Sequence, residues 1–446
     1  MKRKWLSVLM AASMIASMAV IPAAAEEDVP DNEVTGDASA DDAFVIWGWN
    51  TDFVTLQGLL EEQYPELEGR IVFVNTGGSG YYQDKLDAIL ADPDNELYPD
   101  IVLLEVGYVQ KYVQSDYLLS LEDLGITSED TASQFTYNIE LGSDADGVQK
   151  ASFWQATPGC LQIRADLAET YLGTTDQAEL EEMFSNWDSI LEIAEQVNEA
   201  SGGMVKLFSG YDDLKYIFLN GSRSVGWYDE SDVIQVDDAM VEYMELSKTL
   251  YEEDLTFNTT MWDTDWAAQK DGDGVDTEAA IVYCGCPWYT YWSLTDTWNG
   301  NTILVDAPTQ FYWGGTGLAA TVGCSDTEVA AQIISACTTD ADFMVSIYGA
   351  NGDYVNNTEA ISTIIDEGIE STSGFTLYGD QNIAEYFSSR GEGIDVSVVT
   401  AEDQVICETL FPAAVTAYAT GASDLDTAIA DFKASVHDTY DYLSVE

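Results

Sequence analysis

Basic side chains and histidine are scarce in this sequence of 446 residues. It contains 15 Lys and Arg against 80 Asp and Glu, a single histidine (His437), and a formal net charge of -65. Sequence-independent binding to nucleic acid needs clustered Lys and Arg to neutralise phosphates, and a basic patch is also what docks a protein on anionic lipid. One histidine argues against a Ser-His-Asp relay or a His-rich metal site. We therefore expect no nucleic-acid partner, no metal and no cofactor.

Cysteine pairs with the spacing of a metal site are also missing. None of the six cysteines belongs to a Cys-x-x-Cys pair, so the sequence does not predict a zinc centre. Whether they are buried free thiols or form one or two disulfides stays open on the sequence alone.

Long apolar runs are confined to the N-terminus. Lys2–Lys4 form a basic start, Trp5–Ile21 is apolar, and Pro22–Ala25 supplies small residues. This order predicts a signal peptide over residues 1–25, cleaved after Ala25, and hence an exported protein. Residues 26–42 follow with eight acidic and no basic side chains, and we expect them to be a solvated, disordered leader.

Apolar strands and amphipathic helices alternate after the leader. Phe44–Trp47, Ile71–Val74 and Ile101–Leu104 read as buried strands, and the segments between them have helical spacing of apolar residues. This order predicts a parallel sheet covered by helices. Ligands of such sheets bind beyond the carboxyl ends of the strands, which here points to residues 47–52, 77–80 and 105–108.

Tryptophan is the abundant chemical feature, with 12 copies. Aromatic faces pack against the C–H patches of a sugar ring, while carboxylates and amides at the rim bind its hydroxyls. Any single tryptophan is more often a core residue than a binding residue. Several copies lie at predicted strand ends or in loops, among them Trp47, Trp262, Trp266, Trp292 and Trp298. Loop placement favours four others, which form with nearby polar side chains our candidate ligand-binding set: Trp49, Asn50, Asp52, Glu105, Trp154, Gln155, Trp288 and Trp313. The set indicates a neutral polyol ligand.

The chain resembles the extracellular solute-binding proteins of family 1, which are the carbohydrate receptors of ABC importers. The segments that carry the resemblance are Val45–Asn50, Tyr98–Glu105 with Tyr108, Lys111 and Tyr112, Ser224–Trp227, Trp262–Trp266, Gly285–Trp288 and Tyr312–Gly315. The resemblance implies an α/β, periplasmic-binding-protein-like fold of type II, with two lobes that are each a mostly parallel sheet covered by helices. Residues 43–152 plus 303–352 would form lobe 1, and 153–302 plus 353–446 would form lobe 2.

The same resemblance implies a function without catalysis. A neutral mono- or oligosaccharide would be held in the cleft between the lobes by the candidate set, and a monomeric receptor would deliver it to ABC transporter permease subunits. The location would be extracellular or periplasmic. Lipid anchoring would need a lipobox cysteine near the signal peptide, and it is not supported because the first cysteine is Cys160. A secreted glycoside hydrolase that uses a pair of carboxylates is the alternative, since 80 acids guarantee accidental pairs.

Overall fold

The computed structural model describes residues 30–445, so the predicted signal peptide lies outside the described residues. The strands are β1 (Glu33–Thr35), β2 (Phe44–Gly48), β3 (Ile71–Asn75), β4 (Ile101–Glu105), β5 (Ser152–Phe153), β6 (Cys160–Arg164), β7 (Val205–Lys206), β8 (Ala279–Ala280), β9 (Val282–Gly285), β10 (Thr302–Val305) and β11 (Thr316–Ala320).

The α-helices are spread along the whole described chain. They are α1 (Asp52–Gln63), α2 (Ser79–Leu90), α3 (Val109–Val113), α4 (Thr136–Leu141), α5 (Ala165–Leu167), α6 (Gln177–Met183), α7 (Trp187–Ser201), α8 (Lys215–Ile217), α9 (Asp238–Glu252), α10 (Thr264–Lys270), α11 (Thr327–Thr338), α12 (Ala341–Asn351), α13 (Thr358–Glu367), α14 (Ile383–Phe387), α15 (Asp403–Val405), α16 (Phe411–Ala419) and α17 (Leu425–Thr439).

The chain divides into two compact units. Unit 1 holds the described residues up to Gln134, together with Asn138–Trp154 and Thr316–Ile347, and unit 2 holds Phe135–Tyr137, Gln155–Gly315 and residues from Tyr348 onward. Apart from the short segment Phe135–Tyr137, the chain changes unit after residues 154, 315 and 347, where the sequence predicted 152, 302 and 352. The largest difference concerns residues 303–315, which were predicted for lobe 1. They lie in unit 2 because β10 pairs with β6.

The sheet of unit 1 has the predicted parallel centre. Its order is β1-β3-β2-β4-β11-β5, with β2 parallel to both β3 and β4 and every other pairing antiparallel. The three central strands are buried almost throughout, as expected for strands covered on both faces. Helix α1 packs Phe53, Leu56 and Leu60 into the core. The carboxyl ends of β2 and β4 consequently lie side by side.

The prediction of a disordered leader is wrong for its described part. Residues 33–35 form β1, which pairs antiparallel with β3, although all three side chains are exposed. The prediction considered only side-chain burial, whereas an open sheet edge offers backbone hydrogen bonds that need no apolar side chain. The ammonium group of Lys85 secures the same segment, because it donates to Pro30 O (2.6 Å) and to Asn32 Oδ1 (2.8 Å).

The prediction that both sheets are mostly parallel is wrong. In unit 1 two of the five strand pairings are parallel, and unit 2 departs further. Its main sheet has the order β10-β6-β9, and both pairings are antiparallel; only the short β7–β8 pair is parallel. Apolar runs of this kind show that a strand is buried but do not encode its direction. Around these strands α7 and α9 bury one apolar face each, and α7 begins at the N-cap residue Asn186, whose side chain accepts from Ser189 N.

Candidate ligand-binding surfaces

An aromatic trio stands at the carboxyl ends of β2 and β4 in unit 1. Trp49 follows β2 directly, Tyr108 follows the turn after β4, and Tyr82 comes from the second turn of α2. The ring of Trp49 lies 5.2 Å from that of Tyr82 and 6.1 Å from that of Tyr108, centroid to centroid. This is where the parallel order predicted a ligand surface, although the sequence had selected only Trp49 of the three.

The two tyrosine hydroxyls of this trio differ in their partners. Tyr82 donates to Leu103 O at 2.6 Å. Tyr108 is only 5% exposed, yet its hydroxyl has no hydrogen-bond partner among the described residues. Burial is the main cause that raises the pKa of Tyr108 well above its ordinary value, so the hydroxyl is neutral and can donate. A buried hydroxyl without a partner is unfavourable in the protein alone, which marks Tyr108 as a group suited to a ligand.

Polar side chains border the trio. Asn50 donates from Nδ2 to Asp52 Oδ2 at 2.7 Å and accepts from Asp52 N at 3.1 Å, so the two side chains fix one another at the start of α1. Glu105 ends β4 and is half-buried. Of the predicted set, Trp49, Asn50, Asp52 and Glu105 thus lie at the ends of neighbouring strands in one unit.

Unit 2 carries a larger aromatic surface. Trp262, Trp288, Trp292 and Trp313 form its body, and we call these four residues the tryptophan surface. Trp262 touches all of the others, with centroids 6.4 Å from Trp288, 5.8 Å from Trp292 and 5.9 Å from Trp313. The rings of Trp262 and Trp288 are nearly parallel, at 17°. Four indoles in mutual contact offer a continuous apolar area.

Exposure distinguishes this surface from ordinary core. Trp292 is 63% and Trp262 47% exposed, and these are the two exposed tryptophans of the described residues. Trp288 is half-buried, and Trp313 is buried against Tyr216, whose ring stacks on it at 4.2 Å. Large exposed aromatic side chains that cluster mark a binding surface rather than chance exposure.

Hydrogen bonds to the backbone hold Trp288 and Trp313, the two less exposed members of the tryptophan surface. The indole of Trp288 donates to Trp313 O at 3.0 Å, and Cys286 donates to the same oxygen. Gly314 and Gly315 follow with φ of +67° and +105°, values that a side chain disfavours. The sharp turn after Trp313 therefore requires the glycine pair that the sequence shows.

Two adjacent acids, Asp212 and Asp213, hold the segment that carries Trp262. Met261 N donates to Asp212 Oδ2 at 2.8 Å, and the indole of Trp266 donates to Asp213 Oδ1 at 2.7 Å. Burial is the main cause that raises the pKa of both carboxyl groups. The charge of Asp212 raises the pKa of Asp213 further, and the charge of Asp263 raises that of Asp212. The segment that carries Trp262 is thus bound at both of its ends.

The structure does not bring Trp154 and Gln155 to either surface. Trp154 is fully buried in unit 1. Gln155 is buried in unit 2, where its amide donates to Asp353 Oδ1 at 2.8 Å. Both follow a strand end in the sequence, but the chain continues there as packed backbone rather than as an open loop.

Sequence reasoning left out Trp262, Trp292, Tyr108, Tyr82 and Tyr216. The sequence places Trp262 and Trp292 at predicted strand ends or in loops, but it does not rank them above core residues. The exposure of Trp292 in the turn Tyr289–Ser293 and the positive φ of Trp262 are seen only in the structure. Tyr108 lies in residues 105–108, which the sequence had already marked, and this position could have found it, whereas Tyr82 lies in α2, two residues beyond the marked segment 77–80.

Two further chemical features are accounted for by local structure. All six cysteines are free, and burial raises the pKa of thiols such as Cys337. In the acidic loop 271–276, Asp273 Oδ1 accepts from three backbone N–H groups, so it closes a turn. Residues 30–445 contain no group of three or more His, Cys, Asp or Glu arranged for a metal ion. No helix in that range is long and apolar enough to cross a membrane.

Comparison with known proteins gives one family. A family model described as bacterial extracellular solute-binding protein matches residues 62–363, more than half of the chain. No curated protein matches the chain.

Similar solved structures cover nearly the whole chain. An extracellular solute-binding protein of family 1 has a TM-score of 0.74 at 16% identity, with 89% of this chain and 99% of that chain covered. The ABC-transporter-associated binding protein from B. animalis subsp. lactis Bl-04, in complex with β-1,6-galactobiose, has 0.69 at 15%, covering 91% and 99%. The galacto-N-biose-/lacto-N-biose I-binding protein of Bifidobacterium longum has 0.68 at 14%, covering 92% and 100%. At these identities the likeness establishes the fold, which is the predicted periplasmic-binding-protein-like α/β fold.

Proposed function

The chain belongs to the bacterial extracellular solute-binding proteins, and from this premise we propose that it is the carbohydrate receptor of an ABC importer. It binds a neutral mono- or oligosaccharide without chemical conversion and delivers it to a membrane permease. The signal peptide predicted over residues 1–25 places it outside the cytoplasmic membrane. Two of the similar structures are described with disaccharides, β-1,6-galactobiose and lacto-N-biose, which supports a sugar as the ligand class.

The observation that carries the proposal is the tryptophan surface of unit 2. Indole faces are suited to the C–H patch of a pyranose, and aromatic residues are the usual anchors of sites that bind uncharged ligands. Trp262 and Trp292 remain exposed although burying them would stabilise the fold. The aromatic trio of unit 1, with Glu105 and the Asn50–Asp52 pair beside it, provides a second set of stacking and hydrogen-bonding groups.

The charge of the chain supports an uncharged ligand. Its formal net charge of -65 repels anions over long distances. The four members of the tryptophan surface are uncharged and offer π faces, while the indole N–H of Trp288 is already donated to Trp313 O. A neutral polyol is the ligand that these groups serve best.

A thermal-shift panel tests the ligand class. We expect a neutral mono- or oligosaccharide to raise Tm in a concentration-dependent way, because a ligand that binds only the native state stabilises it by mass action. β-1,6-Galactobiose and lacto-N-biose belong in the panel, beside a dipeptide and a polyamine. If no saccharide shifts Tm while a peptide or a polyamine does, the carbohydrate proposal is wrong. Release of reducing sugar from a bound oligosaccharide would instead indicate a hydrolase.

Trp292→Ala tests the surface itself. We expect it to weaken binding of the identified saccharide by about tenfold, roughly 1.4 kcal/mol, because a stacking face is lost. Tm should stay within about 2 °C, since exposed side chains contribute little to stability.

The matched control for this experiment is Trp298→Ala, in the same unit. Trp298 is fully buried and donates its indole N–H to Lys270 O at 3.0 Å. Its removal should cost about 3–5 kcal/mol of unfolding free energy. If Trp292→Ala and Trp298→Ala lower Tm alike, Trp292 is part of the packed fold, and the tryptophan surface is not the binding site.

A further inference from the structure

The loop that carries Trp262 is tied down by the two acids that follow Gly210. Asp212 Oδ2 accepts from Met261 N at 2.8 Å, one residue before Trp262. Asp213 Oδ1 accepts from the indole of Trp266 at 2.7 Å, four residues after it. Trp262 thus lies between two anchored residues, Met261 and Trp266, and both are bound by acids of one short turn.

The backbone of Trp262 needs such anchoring. Its φ is +74°, in the left-handed region that residues other than Gly, Asn and Asp rarely adopt. A bulky residue keeps such a conformation only where its surroundings determine it. The hydrogen bond from Met261 N to Asp212 is the side-chain contact nearest to this residue on its N-terminal side, and the backbone hydrogen bond from Asp263 N to Thr260 O (3.0 Å) closes the turn around it.

The anchoring turn is itself built to approach the loop closely. Gly210 faces Thr259 O at a distance that leaves no room for a side chain, because a Cβ there would lie 2.0 Å from that oxygen. Ser209 N and Gly210 N donate to Asp213 Oδ2 at 3.0 and 3.1 Å. The hydroxyl of Thr259 lies 3.1 Å from Ser209 O. The turn and the loop therefore form one rigid contact.

Asp212 is a costly residue at this position. Its Oδ1 is buried and has no hydrogen-bond partner among the described residues, and an acidic neighbour, Asp213, follows it. A buried carboxylate oxygen without a donor destabilises a fold. An apolar side chain would pack here without that cost, but it could not accept the hydrogen bond of Met261.

We propose that Asp212 is a positioning residue that holds Trp262 in the orientation in which its ring contributes to the carbohydrate-binding tryptophan surface. This inference rests on the function proposed above. It assigns Asp212 no direct contact with the sugar. Its effect on binding passes entirely through Trp262, and this distinguishes it from a residue that only stabilises the fold.

The first test needs no ligand. Asp212→Ala should increase the fraction of tryptophan fluorescence that acrylamide quenches and change the near-UV circular dichroism, because Trp262 loses its fixed orientation. Asp212→Asn, which keeps a carbonyl oxygen for Met261 N, should restore both signals. In a Trp262→Phe background, Asp212→Ala should change neither. Unchanged optics on Asp212→Ala, or the same change without Trp262, would overturn the inference.

The matched control is Asp263→Asn. Asp263 is exposed, adjoins Trp262, and its side chain makes no capping hydrogen bond to α10. This variant therefore removes one negative charge that acts on Asp212 and leaves the hydrogen bond from Met261 N to Asp212 in place. It should leave the optical signals unchanged. Hydrogen exchange in the wild-type protein provides a measurement that does not depend on any variant's folding. The amide of Met261 should exchange slowly, and rapid exchange there would contradict the inference.

The second test measures binding of β-1,6-galactobiose and lacto-N-biose by calorimetry. Asp212→Ala should weaken binding about tenfold and Asp212→Asn less than threefold, and Asp212→Ala should add nothing in the Trp262→Phe background. Additive losses in the two single variants would mean that Asp212 acts independently of Trp262, and the inference would fail. If neither disaccharide binds the wild type and the wider panel contains no saccharide that does, the proposed function fails, while the optical test still decides whether Asp212 orients Trp262.

Discussion

At the scale of single residues, the hydroxyl of Tyr108 gives the sharpest prediction for unit 1. Tyr108→Phe removes a buried hydroxyl that has no partner among the described residues. Tm should therefore stay constant or rise slightly, since a buried polar group without a partner costs about 1–3 kcal/mol. Binding of the saccharide should weaken if this hydroxyl serves the ligand. Differential scanning fluorimetry and calorimetry on the same preparation measure both quantities.

Tyr82→Phe is the control for Tyr108→Phe. Tyr82 belongs to the same trio, but its hydroxyl donates to Leu103 O at 2.6 Å, so its removal should cost about 1 kcal/mol of unfolding free energy. If Tyr108→Phe destabilises the protein as much as Tyr82→Phe does, the Tyr108 hydroxyl has a structural partner. Its role as a ligand group would then be wrong.

The sequence identifies site residues where position along a strand decides exposure. Trp49 and Glu105 follow buried apolar strands, so their place at a sheet edge is implied by the chain itself. Trp154 looks the same in sequence but is fully buried, and its backbone N–H donates to Thr316 O, far along the chain. The exposure of Trp262 likewise depends on a loop that is held by hydrogen bonds to Asp212 and Asp213, and no local sequence pattern encodes these contacts. Contact of the candidate residues with a ligand stays a prediction.

At the scale of elements, β1 should be the part of unit 1 that opens most easily. It has three residues with exposed side chains, and Lys85 ties the chain before it through Pro30 O and Asn32 Oδ1. Lys85→Met should therefore accelerate hydrogen exchange at residues 33–35 by about tenfold or more and lower Tm only slightly, since edge segments open at low free energy.

Lys248→Met in unit 2 is the control for this variant. Lys248 pairs with Glu252 one turn further along α9 and lies over the ring of Tyr418, so its contacts lie within unit 2. It removes the same charge and should leave exchange in β1 unchanged. Equal acceleration by both variants would show that lost positive charge loosens β1, and that the Lys85 hydrogen bonds do not hold it.

Elements with strong local patterns follow from the sequence. The three parallel strands of unit 1 are continuous apolar runs and were predicted close to their observed bounds. Helix α9 repeats buried residues at the spacing that is typical of a helix with one face in the core. The direction of the strands in unit 2 was predicted wrongly. β6 pairs with β9 and β10, which lie more than a hundred residues further along the chain, and the order of such distant partners is set by the packing of the whole unit. β1 was missed for a related reason. It is stabilised by backbone hydrogen bonds to β3 at the sheet edge and not by burial of its own side chains.

At the scale of the whole molecule, the excess of acids predicts how salt acts on stability and binding. The formal net charge is -65, and the described basic side chains already have acidic partners in many cases, such as Lys111 with Asp87 and Arg390 with Asp306. The remaining acids repel one another, which destabilises the compact state. Raising NaCl from about 20 mM to about 500 mM reduces the screening length from roughly 20 Å to roughly 4 Å, so Tm should rise.

Binding of a neutral saccharide should respond differently to the same change. Sugar stacking on indoles and hydrogen bonds to uncharged hydroxyls involve no net charge on the ligand, so Kd should change by less than about twofold over this range, whereas attraction or repulsion of a charged ligand would be screened strongly. Calorimetric titration at the two salt concentrations measures it, with KCl in place of NaCl to separate screening from binding of a particular cation. A Kd that falls steeply with added salt would mean that the ligand is an anion held against the charge of the protein. A Kd that rises steeply would mean a cation, and either result would contradict a neutral sugar even if Tm rises as expected.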